Sequence, residues 1–132
     1  MDEDVVARSL ELLAERVGDP APRVYARLFA RHPGTEALFL MDPGGHVRGQ
    51  MLAVAIEALL DRGGEGRLAG LVGIERMNHV NIGVPAEVFD GFFALLMEVV
   101  REALGPDWTA GVEESWRRRL AEMEAETAGA AA

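Results

Sequence analysis

The chain lacks cysteine and lysine altogether, has one tyrosine and three histidines, and contains no apolar run near the roughly 18–20 residues of a membrane span. Each absence excludes chemistry. Without cysteine there are no disulfides, thiolate zinc sites, iron–sulfur clusters or cysteine nucleophiles, and nothing stands against a reducing compartment; a cytoplasmic location is expected. All 13 basic residues are arginine, so a lysine Schiff base and a phosphate-binding loop with its lysine are both excluded. The net charge of −9 argues against nucleic acid or an anionic membrane surface as a partner. The acidic opening "MDEDVVARSL" does not read as a secretory signal.

What is present is helical. With 132 residues, 49% of them hydrophobic, the chain has room for one domain and one core. Val5, Val6, Leu10, Leu12, Leu13 and Val17 form a helical stripe that "GDPAP" (18–22) interrupts. A second helix carries Val24, Tyr25, Leu28 and Phe29 on one side and Arg23, Arg27 and Arg31 on the other, and Pro33 ends or turns it. "GTEALF" (34–39) predicts a short helical turn before the loop "MDPGG", and 46–61 predicts a long helix closed by the glycines of "RGGEG". Leu68, Leu71, Val72 and His79 share a helical face in a segment that ends at "NIGVP". The stretch 85–105 opens on proline, closes on glycine and is apolar nearly all round, which predicts one central buried helix. Val112, Trp116, Leu120 and Met123 mark the last helix, over about Thr109 to Thr127. No strand signal occurs, so an all-α fold of six to seven helices is predicted, with a domain over 1–127 and a flexible tail over 128–132.

His79 lies among Met77, Val80 and Ile82 just before that break. It could simply pack in a helical bundle. A metal site made by protein alone is disfavoured, because His32, His46 and His79 are scattered and lack a three- or four-residue spacing. Ser9 and Ser115 lie on predicted helices without a nucleophile elbow, which disfavours a serine hydrolase. One histidine suffices as a metal ligand only where a cofactor brings the remaining ligands, as haem does.

In order along the chain, "VYARLFARHPGTEALF" (24–39), "HVNIGVPAEVFD" (79–90) and "LGPDWTAGVEESWRRRL" (104–120) resemble the globins, most of all bacterial single-domain globins and the haem domain of flavohaemoglobins. In that resemblance Tyr25 matches the distal tyrosine and Pro33 the proline that opens the short third helix. Phe39, fourteen residues after Tyr25, matches the phenylalanine stacked on the porphyrin, and His79 the proximal histidine. Aligning "RGQML" on the distal helix puts Arg48 where globins often carry histidine or glutamine, Gly49 at the helix crossing and Leu52 over the iron.

The resemblance implies a globin-like fold around haem b (iron protoporphyrin IX), with His79 as the metal ligand. His79 would donate its other ring N–H to a backbone carbonyl or a carboxylate. Met77, Val80 and Ile82 would pack nearby, and Val84 would touch the porphyrin edge. Tyr25 would donate to bound oxygen, or else be a core tyrosine. Arg48 would meet a propionate or gate the distal entrance, or be a solvated charge, with His46 able to take either task in a shifted register. Leu52 and Phe92 would line the pocket or the core. Flavohaemoglobins carry a tyrosine where this chain has Phe89, so that hydroxyl is missing. Glu75 would be a replacement proximal carboxylate or a solvent-facing residue. The implied function is reversible binding of a diatomic gas (oxygen, possibly nitric oxide or carbon monoxide) by a monomer or homodimer. Nitric oxide dioxygenation or peroxidase-like turnover is the alternative, and it requires a separate reductase because no Gly-rich dinucleotide fingerprint is present. A haem-free interaction domain is the third.

Overall fold

A computed structural model of the protein describes residues 2–60 and 67–131, with side chains described over 5–60 and 73–125. Among these residues there are seven α-helices and no strand. The helices are α1 (Asp2–Val17), α2 (Ala21–Arg31), α3 (His46–Leu60), α4 (Arg67–Asn81), α5 (Ala86–Asp90), α6 (Phe92–Leu104) and α7 (Ala110–Ala131), with 3-10 turns at Pro33–Phe39 and Gly105–Asp107. No described helix is long and apolar enough to cross a membrane. The glycine stop expected at 62–66 and the side chains of Leu68, Leu71 and Val72 lie outside the described residues.

α1 buries Val6, Leu10 and Leu13 and stops where Gly18 takes φ +72° and donates its N–H to the Ala14 carbonyl. A left-handed residue in that place closes the helix at no steric cost to glycine. α2 buries Ala21, Val24, Tyr25 and Leu28, one continuous face at helical spacing. Its other face carries Arg27 and Arg31, both of which pair with Glu98 of α6. α1 packs on α6 and α7, α2 on α6, and α4 on α7, while α3 touches α2, α4 and α7.

The segment predicted as one helix over 85–105 is two. The chain breaks at Gly91, where the Gly91 N–H bonds the Glu87 carbonyl and a side-chain Cβ would come within 3.2 Å of that oxygen. Pro85 precedes the first helical residue of α5 instead of occupying it. An apolar pattern runs through such a break unmarked, because both pieces face the same core. The last helix continues to Ala131, so helical backbone extends past Thr127 into the stretch read as a tail.

Two buried polar contacts knit the core. The Trp116 indole N–H donates to Ser9 Oγ at 2.8 Å, and Ser9 donates onward to the Val6 carbonyl at 2.6 Å, so both polar groups at the α1–α7 crossing are satisfied. Arg119 is 1% exposed and donates to the carbonyls of Ala58 (2.8 Å) and Leu59 (2.7 Å) in the last turn of α3. Arg16 does the same for Ala103 and Leu104 at the end of α6. The planar guanidinium fork reaches two adjacent carbonyls at once, which a lysine ammonium does less well. Arg119→Met should therefore cost about 2–3 kcal/mol, a fall in Tm of roughly 6–15 °C by thermal denaturation. An unchanged Tm would mean that water serves those carbonyls equally well.

Candidate functional site

The break after His79 has a local cause. α4 ends as the Ile82 N–H bonds back to Asn78 and His79, and Gly83 takes φ +102°, a conformation open to glycine. That turn swings Val84 back, so its N–H bonds the His79 carbonyl at 2.9 Å and its side chain lines a cavity. α5 then brings Phe89 onto the His79 ring, centroids 5.1 Å apart. Arg76 and Asp90 close the corner with two hydrogen bonds of 2.6 and 3.0 Å between α4 and the end of α5. This side of the site is clamped by sequence-local contacts on both flanks of the histidine.

His79 Nδ1 lies 2.6 Å from the Glu75 carbonyl. A carbonyl only accepts, so Nδ1 carries the proton, and a ring with one proton keeps its lone pair on Nε2. The backbone thus sets the tautomer and leaves one ring nitrogen as a metal-ligand atom. The Glu75 carboxylate is 3.8 Å from the same Nδ1. Glu75 therefore touches His79 through its backbone and stands near it through its side chain, part exposed.

The cavity holds about 540 Å³, inside the range of roughly 300–1,000 Å³ that takes a cofactor-sized ligand. His79, Val84 and Phe89 form one side; Tyr25, Phe39 and Phe92 stand elsewhere in its wall. Tyr25 is 2% exposed, boxed by the rings of Phe29, Phe39 and Phe92 at centroid distances of 5.7–6.1 Å. Its hydroxyl is buried and has no hydrogen-bond partner among the described residues. Burial pushes its pKa far above the usual phenol range, although the Arg48 charge opposes the shift, so the group stays an O–H donor at physiological pH. Leu38, Met41, Val47, Val54 and Ile82, all substantially exposed, line the same slot and give it an apolar wall.

Two expected pocket residues are placed elsewhere. Leu52 packs into the helical core, and Arg48 turns to Asp42, with Nε 3.1 Å from the carboxylate and a terminal nitrogen 2.7 Å from the Asp42 carbonyl. The α3 face toward the cavity is Val47, Gln50, Met51 and Val54, at offsets of three, four and seven. Aligning "RGQML" by interval alone missed that face by one or two positions, and the Val47–Val54 helical period was the signal for it. His46 starts α3 outside the cavity wall. Met77 (63% exposed) and Val80 project outward instead of packing beside His79, and Ile82 (71% exposed) lies at the slot.

Asp42 was not foreseen. It accepts from the N–H groups of Val47 and Arg48 at 3.1 Å each, capping the start of α3. Burial alone would raise its pKa, but those two N–H donors and the Arg48 guanidinium hold the carboxyl below its ordinary 3.8. Hydrogen bonds from Arg31 and Trp108 likewise lower Glu98 and Glu113 below 4.5. A carboxyl lowered on folding contributes stability that is complete above its unfolded value and is lost as pH falls through its folded value. The Tm is therefore expected to hold above pH 4.5 and to fall progressively in more acid solution, with a shallower fall in Asp42→Asn, measured by calorimetry across that range.

Among the described residues no three His, Asp or Glu side chains form a metal-binding cluster. The fold and site define an all-α domain built around an apolar slot with one tautomer-fixed imidazole and one buried phenol. The model of the globin family matches residues 22–127, and this chain belongs to that family. No match is found among curated proteins or solved structures. Globin membership implies a haem-binding, gas-binding protein, and the residues present fit that group: a lone imidazole donor, aromatic side chains and a tyrosine line one slot.

Proposed function

We propose that the chain holds haem b in the cavity with His79 Nε2 as its one protein ligand, and that it reversibly binds a diatomic gas. The observation that carries this reading is one cavity wall that holds both His79 and Tyr25, whose buried hydroxyl has no hydrogen-bond partner among the described residues. A buried O–H without a partner costs roughly 1–3 kcal/mol, a cost offset when a bound ligand accepts from it. Haem, when bound, supplies an iron centre that takes the gas. The chain supplies the rest. Glu75 and Phe89 orient the imidazole, Phe39 offers a flat apolar face, and Tyr25 offers a proton donor to the electron-rich end of the ligand. Tyr25, Pro33, Phe39 and His79 resemble the pattern of bacterial single-domain globins, and a cytoplasmic protein of that kind is the reading we adopt. A visible spectrum after haem reconstitution tests it: a Soret band that shifts on reduction and on carbon monoxide addition is expected, and no Soret band would leave a haem-free interaction domain.

One observation favours a second reading, nitric oxide dioxygenation or peroxidase-like turnover served by a separate reductase. The Glu75 carboxylate 3.8 Å from Nδ1 would make the imidazole a stronger donor, standing in for the hydroxyl that Phe89 lacks. Sustained nitric oxide consumption with a supplied reductase supports turnover, whereas one stoichiometric reaction supports a binder.

A further inference from the structure

Phe89 meets the His79 ring through an apolar contact, which fixes no direction of its own. The phenyl stays on the imidazole only while α5 stays in place. α5 has five residues, too few for a helix to hold itself without outside contacts. It follows the turn at Gly83 and ends at Gly91, where the chain breaks before α6. Val88, buried in the core, sets its depth. Its end is tied to α4: Asp90, the residue after Phe89, accepts from Arg76, three residues before His79.

We infer that Arg76 and Asp90 are positioning residues for the metal ligand: their ion pair fixes the roll of α5, so that Phe89 holds the His79 imidazole in one orientation with Nε2 available to haem. The inference deepens the haem reading of the slot and rests on it. The pair has the geometry for this task. Nε of Arg76 donates to one Asp90 carboxylate oxygen at 2.6 Å and a terminal nitrogen to the other at 3.0 Å. Two parallel bonds between planar groups fix direction as well as distance, which a single point charge does not. Successive helix residues stand about 100° apart, so a roll of α5 that broke both bonds would also carry Phe89 off the imidazole. On its other flank the imidazole is bonded through Nδ1 to the Glu75 carbonyl. One hydrogen bond leaves a ring free to tilt about it, and the phenyl contact removes that freedom. Both members of the pair are part exposed, 41% and 53%, so the pair adds little to global stability and is open to screening by salt. Its effect is therefore read at the histidine.

The test uses the full chain with Arg76→Gln, Asp90→Asn, both together, and the exchanged pair Arg76→Glu/Asp90→Arg. The first readout needs no haem: the NMR shifts of the His79 ring protons, which the ring current of Phe89 displaces from 5.1 Å away. Phe89→Leu supplies the undisplaced values. Removing either charge should move the shifts toward those values, the double variant should move them no further than a single one, and the exchanged pair should bring them back. The second readout is transfer of haem from the loaded protein to an excess of a haem-free acceptor globin. Partners that touch a metal ligand directly control about 10–100-fold in metal affinity, and this pair acts one contact further out, so transfer should quicken about fivefold in each single variant. In Phe89→Leu, adding Arg76→Gln should change nothing more. Salt of about 0.5 M should speed transfer from the unmodified protein toward the variants' rate and leave the variants unaffected. Unmoved His79 shifts with unchanged haem transfer in both single variants would overturn the inference and leave the haem reading standing. A large fall in the haem-free Tm with the shifts unmoved would also overturn it, making the pair a plain structural bridge. Absence of a Soret band from the unmodified protein overturns the haem reading and this role with it.

Discussion

Replacing His79 by glycine is expected to abolish retention of haem through gel filtration, and added imidazole is expected to restore it. The side chain is the one histidine in the cavity wall; His46 starts α3 outside it, and His32 ends α2. The backbone that shapes the corner does not need the ring, because Val84 bonds the His79 carbonyl and Arg76 bonds Asp90 whatever residue stands between. The variant should therefore keep its helical circular dichroism. A ligand that binds the folded chain alone stabilises it by about 2.7 kcal/mol at one hundred times its Kd, which here is a rise in Tm of roughly 8–14 °C on reconstitution. His79→Gly should lose most of that rise and regain it with imidazole. Tightly held porphyrin of unaltered colour in the variant would remove His79 from the metal.

The second large effect is expected at Tyr25, and it has two signs. With the hydroxyl donating to a bound oxygen that carries partial negative charge, the bond is worth roughly 1.5–3 kcal/mol, so Tyr25→Phe should raise the oxygen dissociation rate by about 10–150-fold. In the protein without ligand the same hydroxyl is buried with no partner among the described residues, and its removal relieves a desolvation cost. Tyr25→Phe should therefore leave haem-free stability unchanged or raise it by about 1 kcal/mol, since the ring contacts with Phe29, Phe39 and Phe92 persist. Faster oxygen loss in a chain that is no less stable is the signature of a residue kept for binding at the expense of folding. Stopped-flow displacement of oxygen and thermal melts of the haem-free form measure the two halves. A destabilised variant with an unchanged off-rate would make Tyr25 an ordinary core residue.

Several features were legible before the fold was known because they depend on neighbours in sequence. The α1 stripe and the α2 face with Tyr25 and Leu28 follow from helical period, and the stop at Gly18 from the glycine that ends α1. The bond at His79 Nδ1 is also local: the resemblance left a backbone carbonyl or a carboxylate as its partner, and the structure places the carbonyl four residues back beside it. The break at Gly91 was not legible, since an apolar run looks the same whether one helix or two present it to the core. Arg48 and Leu52 show the other limit. An interval along the chain fixes a position to within a residue or two, and on a helix each residue turns the side chain by about 100°, enough to move it from cavity to core.

What the sequence by itself determined is the inventory and the period: all-helical, arginine as its one strong cation, one tyrosine, and a histidine placed just before a glycine–proline turn. Those follow from residue type and from spacing within one turn of helix. What only the tertiary structure decided is which groups meet across the fold. Arg119 came to serve the end of α3 sixty residues away, Asp42 holds Arg48 away from the slot, and the Tyr25 hydroxyl was left buried with no partner among the described residues. The physical reason is that burial and hydrogen-bond satisfaction are properties of a packed volume, and the elements that enclose that volume are remote in sequence.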